Sequence, residues 1–156
     1  MIRKSRFVCF STLFLAAAAL LWSQTEDSTR IYEQNKEGIL SLYIYGANKE
    51  LVVKGVGFGL TEDIIATSYH LVSAADEVQG VNYKGKKMKI EGIVTADRNL
   101  DIALLRVKGK VQGLTLGDSD KLEEGARVFA LGTNESGDIT ISEGTMRKLH
   151  RLSDGL

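Results

Sequence analysis

The sequence predicts an all-β protein. Apolar runs of strand length alternate with polar turns, and most successive runs begin about 8–15 residues apart, which is typical of a sandwich or barrel. Sixteen glycines indicate frequent turns, although the chain contains no proline. The short spacing of most runs favours a sandwich or barrel over a fold built from βαβ units, which would need long helical crossovers between strands.

Seven segments read as strands because their residues alternate in polarity or are mostly β-branched. The predicted strands are Ile39–Tyr45, Leu51–Leu60, Asp63–Ser68, Lys87–Ala96, Asp101–Val107, Ala126–Gly132 and Asp138–Gly144. The turns between them include "GANKE", "LTED", "YKGKK" and "TNESGD". Only "HLVSAADEV", from His70 to Val78, favours a helical turn within this region. Residues 25–37 form a polar leader, which could be a short helical turn ending at Gly38.

The N-terminus is typical of an export signal. Three basic side chains lie within the first six residues, and an uncharged apolar stretch follows from Phe7 to Trp22. This arrangement predicts a signal peptide over residues 1–24, cleaved near Ser23 or Gln24. No clean small-residue cleavage site precedes Gln24, so an uncleaved N-terminal anchor is the alternative and the only predicted contact with a membrane. We therefore expect an exported protein.

Charge and composition exclude several function classes. The 20 basic and 20 acidic side chains balance, which gives no support for nucleic-acid binding. The single cysteine, Cys9, lies inside the apolar N-terminal stretch, so the exported part would have no thiol, disulfide or thiolate metal site. The two histidines, His70 and His150, are 80 residues apart, and the latter is expected in a solvated tail. No metal and no cofactor are predicted.

His70 is the main candidate for chemistry. It ends the apolar run "IIATSYHLV", and a histidine can act as a base if a carboxylate fixes its tautomer. Asp101, in "DRNLDIALLRV", is the best candidate carboxylate because a turn leads there into an apolar strand. Asp97 reads as solvent-exposed in the preceding turn, and Asp76 follows the histidine too closely. From the residues alone, His70 could instead bond a backbone carbonyl, and Asp101 could simply shape a turn.

Several motifs in order resemble the HtrA-like branch of the trypsin-fold serine proteases. They are "GVGFGL", "IIATSYHLV", "DRNLDIALLRV", "LTLGDSDKLEEGARVFALG" and "ISEGTM", and they cover residues 38–146. The histidine and aspartate segments lie 31 residues apart, as in that family. The resemblance implies a trypsin-like β-barrel, His70 as general base, Asp101 as its orienting acid, and peptides or unfolded proteins as substrates. Tyr69 and Leu71 replace the asparagine and valine that relatives often carry, without altering the chemistry.

The resemblance also implies a nucleophile that this sequence does not contain. The family carries its serine in Gly-Asn-Ser-Gly-Gly on a second barrel, and no Gly-x-Ser-Gly-Gly is present. Ser119 in "LGDSD" and Ser136 in "NESGD" are superficially similar, but both read as ordinary turn residues. We therefore expect a first barrel over residues 38–120. Residues 121–156 would form the connector and the first hairpin of a truncated second barrel.

Three hypotheses follow. The chain is an exported serine endopeptidase of HtrA type that is inactive without its serine, a non-catalytic module that binds peptides or unfolded proteins, or a gene fragment without a stable fold. The sequence contains no feature that defines cleavage specificity or oligomeric state.

Overall fold

Residues 27–148 are described by a computed structural model of the chain. The predicted signal peptide with Cys9, and His150, lie outside this range. The described part of a helix, α1, covers residues 27–35 and is followed by a 3-10 turn, Lys36–Gly38. A second helix, α2, is the single turn Tyr69–Val72. Neither of these two helices is long and apolar enough to cross a membrane.

Eight strands make up most of the described chain, as the all-β prediction requires. They are β1 Ile39–Tyr45, β2 Leu51–Gly59, β3 Ile64–Ser68, β4 Glu77–Asn82, β5 Lys87–Asp97, β6 Ile102–Lys108, β7 Arg127–Thr133 and β8 Ile139–Thr145. Each of the seven predicted strands is present, with ends that differ by no more than one residue. The prediction missed β4 and extended the helical turn too far, since α2 ends at Val72 and Glu77 and Val78 belong to β4.

The first six strands close into a barrel. Their order around it is β1-β2-β3-β6-β5-β4, and β4 pairs back onto β1 so that the barrel has no free edge. Every adjacent pair is antiparallel. Strands β7 and β8 form a separate two-stranded sheet. The prediction of one complete barrel followed by a hairpin is confirmed.

The core of the barrel comes from alternate residues of its strands. Side chains that point inward are buried while their neighbours in sequence face outward, as the period of two in a strand requires. Strand β6 shows this pattern, with Ala103, Leu105 and Val107 buried and Arg106 exposed between them. The largest fully buried side chains are those of Leu40, Leu42, Ile65 and Leu105.

Strand β1 departs from simple alternation because both of its faces are covered. Leu40 and Leu42 point into the barrel, yet Ser41 on the outward face is only 3% exposed. The turn of the β7–β8 hairpin lies against this outward face, where the Ser41 hydroxyl donates to the carbonyl of Gly137 at 2.6 Å. This contact fixes the hairpin against the outside of the barrel.

Candidate catalytic pair

The pairing of β3 with β6 brings the two sequence-predicted site residues together. The ladder runs antiparallel from Ile64 opposite Arg106 to Ser68 opposite Ile102. Continuing that register beyond Ser68 places the residues after β3 beside those before β6, and the amide of Tyr69 donates to the carbonyl of Asp101 at 3.1 Å. Strand pairing thus brings together His70 and Asp101, which are 31 positions apart in the sequence.

Asp101 holds His70 through both carboxylate oxygens. Its Oδ1 accepts the backbone N–H of His70 at 2.8 Å, and its Oδ2 lies 2.6 Å from Nδ1 of the imidazole. A carboxylate can only accept a hydrogen bond, so Nδ1 must carry the proton. The ring is therefore fixed in rotation and in tautomer, and Nε2 is the nitrogen left for chemistry. The alternative in which the ring of His70 bonds a backbone carbonyl is not what the structure shows.

The electrostatics of the pair follow from these contacts. The backbone N–H of His70, followed by its imidazole N–H, holds the pKa of the Asp101 carboxyl below its ordinary value of 3.8. Burial opposes this effect, and the hydroxyl of Ser68 adds a smaller contribution in the same direction. Asp101 therefore remains ionised across the physiological pH range, as a group that stabilises a neighbouring imidazolium must.

Both side chains are accessible from solvent. The exposed fraction is 68% for His70 and 44% for Asp101. Helix α2 anchors the histidine from behind, because Val72 is buried in the core and Leu71 packs against it. The imidazole is consequently presented at the surface by a short element whose other face is fixed in the barrel.

Asp101 adopts an unusual backbone conformation. Its φ angle is +53°, in the left-handed region that aspartate tolerates better than most residues. The residue ends a tight turn between β5 and β6, where Asp97 and Ile102 are paired opposite each other. Sequence reasoning identified the turn but not this conformation, which lets one residue receive hydrogen bonds on both its carbonyl and its carboxylate.

The two serines considered from the sequence lie elsewhere. Ser119 begins the 3-10 turn Ser119–Lys121, and Ser136 lies in the turn of the β7–β8 hairpin. Within residues 27–148, no hydrogen bond joins either serine to His70. Both are turn residues, as expected. In the same range, no three His, Cys, Asp or Glu side chains cluster in a way that could hold a metal ion.

A family model described as "Trypsin-like peptidase domain" matches residues 55–155 of the chain. Among curated proteins, the anti-sigma-I factor RsgI9 of Acetivibrio thermocellus is 33% identical over 126 residues, covering 80% of this chain and 18% of that protein. A probable periplasmic serine endoprotease, DegP-like, of Halomonas elongata is 35% identical over 108 residues, covering 68% of this chain and 23% of that protein. The chain thus spans about a fifth of the length of these relatives.

Solved structures show the same fold. The HtrA-type protease AlgW with tripeptide superimposes with a TM-score of 0.70 at 22% identity, covering 80% of this chain and 41% of that one. Together with the motifs and the barrel, these matches identify an HtrA-like trypsin fold and correspond to the N-terminal part of such a protease.

Proposed function

Since this chain belongs to the trypsin-like peptidase domain family, we propose that it supplies the base-bearing barrel of an exported serine endopeptidase of HtrA type. His70 is the general base in this proposal, Asp101 orients it, and residues 38–120 form the N-terminal barrel. The observation that carries the proposal is the double hydrogen bond from His70 to the Asp101 carboxylate. In a Ser-His-Asp enzyme, hydrogen bonding of the aspartate to Nδ1 holds the histidine base in the required tautomer and orientation.

The proposed mechanism assigns one step to each group. Nε2 of His70 removes the hydroxyl proton of a serine as the serine oxygen attacks a peptide carbonyl, and the resulting imidazolium is stabilised by ionised Asp101. The imidazolium then gives the proton to the leaving amine. The serine and the groups that bind the oxyanion must come from residues other than these 156, because the sequence has no Gly-x-Ser-Gly-Gly.

A consequence is that the 156-residue chain alone does not cleave peptide bonds at a measurable rate. A serine that is not held within about 2.6–3.2 Å of the base remains an ordinary alcohol. Unfolded casein should persist during incubation with the chain. Turnover that is abolished by His70→Ala but retained in His150→Ala would contradict this expectation.

The positive test uses the DNA downstream of codon 156. If it encodes Gly-x-Ser-Gly-Gly in frame, the extended protein should hydrolyse casein. His70→Ala and Asp101→Asn should each lower that turnover by roughly 10⁴-fold or more, whereas His150→Ala should leave it unchanged. An active extended protein that is insensitive to His70→Ala would overturn the assignment of the base.

One relative favours a second candidate function. RsgI9 is called an anti-sigma-I factor and not a protease, although it matches 80% of this chain. A non-catalytic barrel that binds extended peptides is therefore the alternative function. It predicts that unfolded casein binds with an affinity that His70→Ala does not change, and that the downstream DNA lacks the serine motif.

The proposed location is the bacterial periplasm or cell envelope. It is supported by the basic and apolar N-terminal segment and by the word "periplasmic" in the name of the Halomonas elongata relative. Fractionation of the producing cells, with immunodetection of the chain, tests the location. Recovery of the protein only from the cytoplasm would contradict it.

A further inference from the structure

The turn before Asp101 is organised by a second aspartate. Asp97, the last residue of β5, accepts the backbone N–H of Asn99 at 2.8 Å and that of Leu100 at 3.0 Å, both on the same oxygen, Oδ1. These two bonds fold residues 98–100 back over the end of the strand in the manner of an Asx turn. They lead directly to Asp101, whose φ of +53° closes the turn.

The orientation of Asp101 depends on that closing conformation. The carbonyl of Asp101 receives the amide of Tyr69, and its two carboxylate oxygens receive the amide and the ring Nδ1 of His70. All three contacts require one backbone geometry at Asp101, in a region that a side-chain-bearing residue seldom adopts without support from its surroundings. Apart from those contacts and the smaller contribution of the Ser68 hydroxyl, the hydrogen bonds within the turn itself are the two to the carboxylate of Asp97.

We infer that Asp97 is a positioning residue for the His70–Asp101 pair: its carboxylate holds the turn in the form that aims Asp101 at the imidazole. This inference rests on the proposed function, since it concerns the same pair. Asp97 is exposed, and its bonds go to the backbone of the turn, so it acts through Asp101 and not on the reacting atoms.

The test reads the tautomer of His70 by ¹⁵N NMR on the full chain. His150→Gln serves as the background, so that the signals of the neutral ring come from a single histidine. With Asp97 present, the tautomer with the proton on Nδ1 should dominate, and the hydrogen-bonded ring N–H should give a far-downfield proton signal. Asp97→Ala should move the population towards the Nε2–H form that free histidine prefers, with loss of the downfield signal.

Two matched variants separate positioning from a general loss of structure. Asp97→Asn keeps an oxygen that can accept the same two N–H groups, so it should retain the Nδ1–H tautomer. Asp76→Ala makes the same chemical change as Asp97→Ala at another exposed aspartate near His70, and should also leave the tautomer unchanged. If Asp97→Ala fails to fold, the ¹⁵N tautomer signal of His70 is measured in Asp97→Ser instead. The serine hydroxyl is a weaker hydrogen-bond acceptor than the carboxylate of Asp97.

Asp101→Asn distinguishes this inference from the proposed function. If Asp101→Asn shifts the tautomer while folded Asp97→Ala or Asp97→Ser does not, the role of Asp97 is overturned and the pair stands. Asp101→Ala completes the control because it leaves no side-chain group to accept from Nδ1: an unchanged tautomer in that variant would mean that the pair itself does not form, which would overturn the proposed function as well.

Discussion

The closed barrel and the β7–β8 hairpin contain strands of similar length but are stabilised differently. In the barrel every strand has two neighbours, and the shared interior fully buries large side chains such as Leu40 and Leu105. The hairpin has one pairing, and Ile139 is its only buried hydrophobic residue within the described chain. Closure therefore supplies both hydrogen bonds and a core, whereas two strands alone make a marginal structure.

The hairpin lacks a core of its own and is held instead by contacts between its turn and the barrel. Three consecutive carbonyls of that turn receive hydrogen bonds from the barrel: Lys54 Nζ to Glu135 at 2.5 Å, Tyr43 to Ser136 at 3.5 Å, and Ser41 to Gly137 at 2.6 Å. A side chain at position 137 would collide with the Tyr43 hydroxyl, and the φ of +90° there also favours glycine. At the other end of the hairpin, Arg127 forms ion pairs with Glu143 and with Asp27 of α1.

The largest difference between the two regions should appear on truncation of a leucine. Leu105→Ala removes a side chain that is 1% exposed in the barrel, and should lower the free energy of unfolding by about 2–5 kcal/mol. Leu131→Ala makes the same change on β7, where the residue is only partly buried, and should cost less than about 1 kcal/mol. Urea denaturation followed by circular dichroism measures both values. Equal losses would mean that the hairpin shares the core of the barrel.

A smaller effect is expected when the contact between the hairpin turn and the barrel is removed without disturbing the barrel itself. Ser41→Ala removes the hydroxyl that holds the hairpin turn, at a cost of about 1 kcal/mol, and should speed amide hydrogen exchange in β7 and β8 roughly fivefold. Thr67→Val is the matched change, because Thr67 is also buried but bonds the carbonyl of Val56 within the barrel at 2.8 Å. Thr67→Val should speed amide hydrogen exchange in the barrel strands and leave exchange in β7 and β8 unchanged. Faster exchange of both regions in Ser41→Ala would show that they unfold as one unit.

The smallest expected effect concerns acid stability. The pKa of Asp101 is lowered by hydrogen bonds from His70, and that of Glu143 by its hydrogen bond from Arg127. A carboxyl with a lowered folded-state pKa stabilises the fold above its ordinary pKa, and this contribution is lost as pH falls through the lowered value. Asp101→Asn and Glu143→Gln should therefore reduce the midpoint of thermal unfolding at pH 6.

Both differences from the unmodified chain should shrink as the pH falls below the ordinary pKa values, 3.8 for Asp101 and 4.5 for Glu143, because the carboxyls of the unfolded chain then bind protons first. They should vanish once the pH lies below the lowered folded-state pKa values, where the native carboxyls are protonated as well. Added salt should suppress the Glu143→Gln effect more strongly, since the partner of Glu143 is the surface charge of Arg127, whereas the pKa of Asp101 is lowered mainly by a backbone hydrogen bond. An Asp101→Asn difference that does not shrink at all between pH 6 and pH 2 would show that the amide disturbs the turn by something other than loss of the charge.

Local patterning was sufficient to predict most of the strands. Runs such as Ile39–Tyr45 and Asp101–Val107 are dense in β-branched or alternating apolar residues, so the chain specifies their conformation without reference to distant contacts. Strand β4 was missed because "EVQGVN" is short, polar and interrupted by Gly80. Its strand state comes from pairing with β1 and β5 and from the burial of that glycine in the barrel wall.

The candidate site could be predicted only in part. His70 and Asp101 were identified by residue type and by family motifs, and the structure places them in contact. Asp97 was read as a plain solvent-exposed turn residue, although its carboxylate accepts two amides of the turn that carries Asp101. The spacing Asp-x-x-x-Asp at the end of a strand was the available signal, but hydrogen bonding within a turn depends on backbone angles that sequence spacing does not define.

The sequence by itself determined where most of the strands form, which residues can act as acid or base, and the absence of the serine motif from these 156 residues. These features follow from side-chain chemistry and from the period of two in a strand. Only the tertiary structure decided that β4 closes the barrel, that the left-handed Asp101 aims both oxygens at His70, and that the hairpin covers the outside of β1. Each of these depends on contacts between segments far apart in the chain, whose geometry is set by strand register and closure.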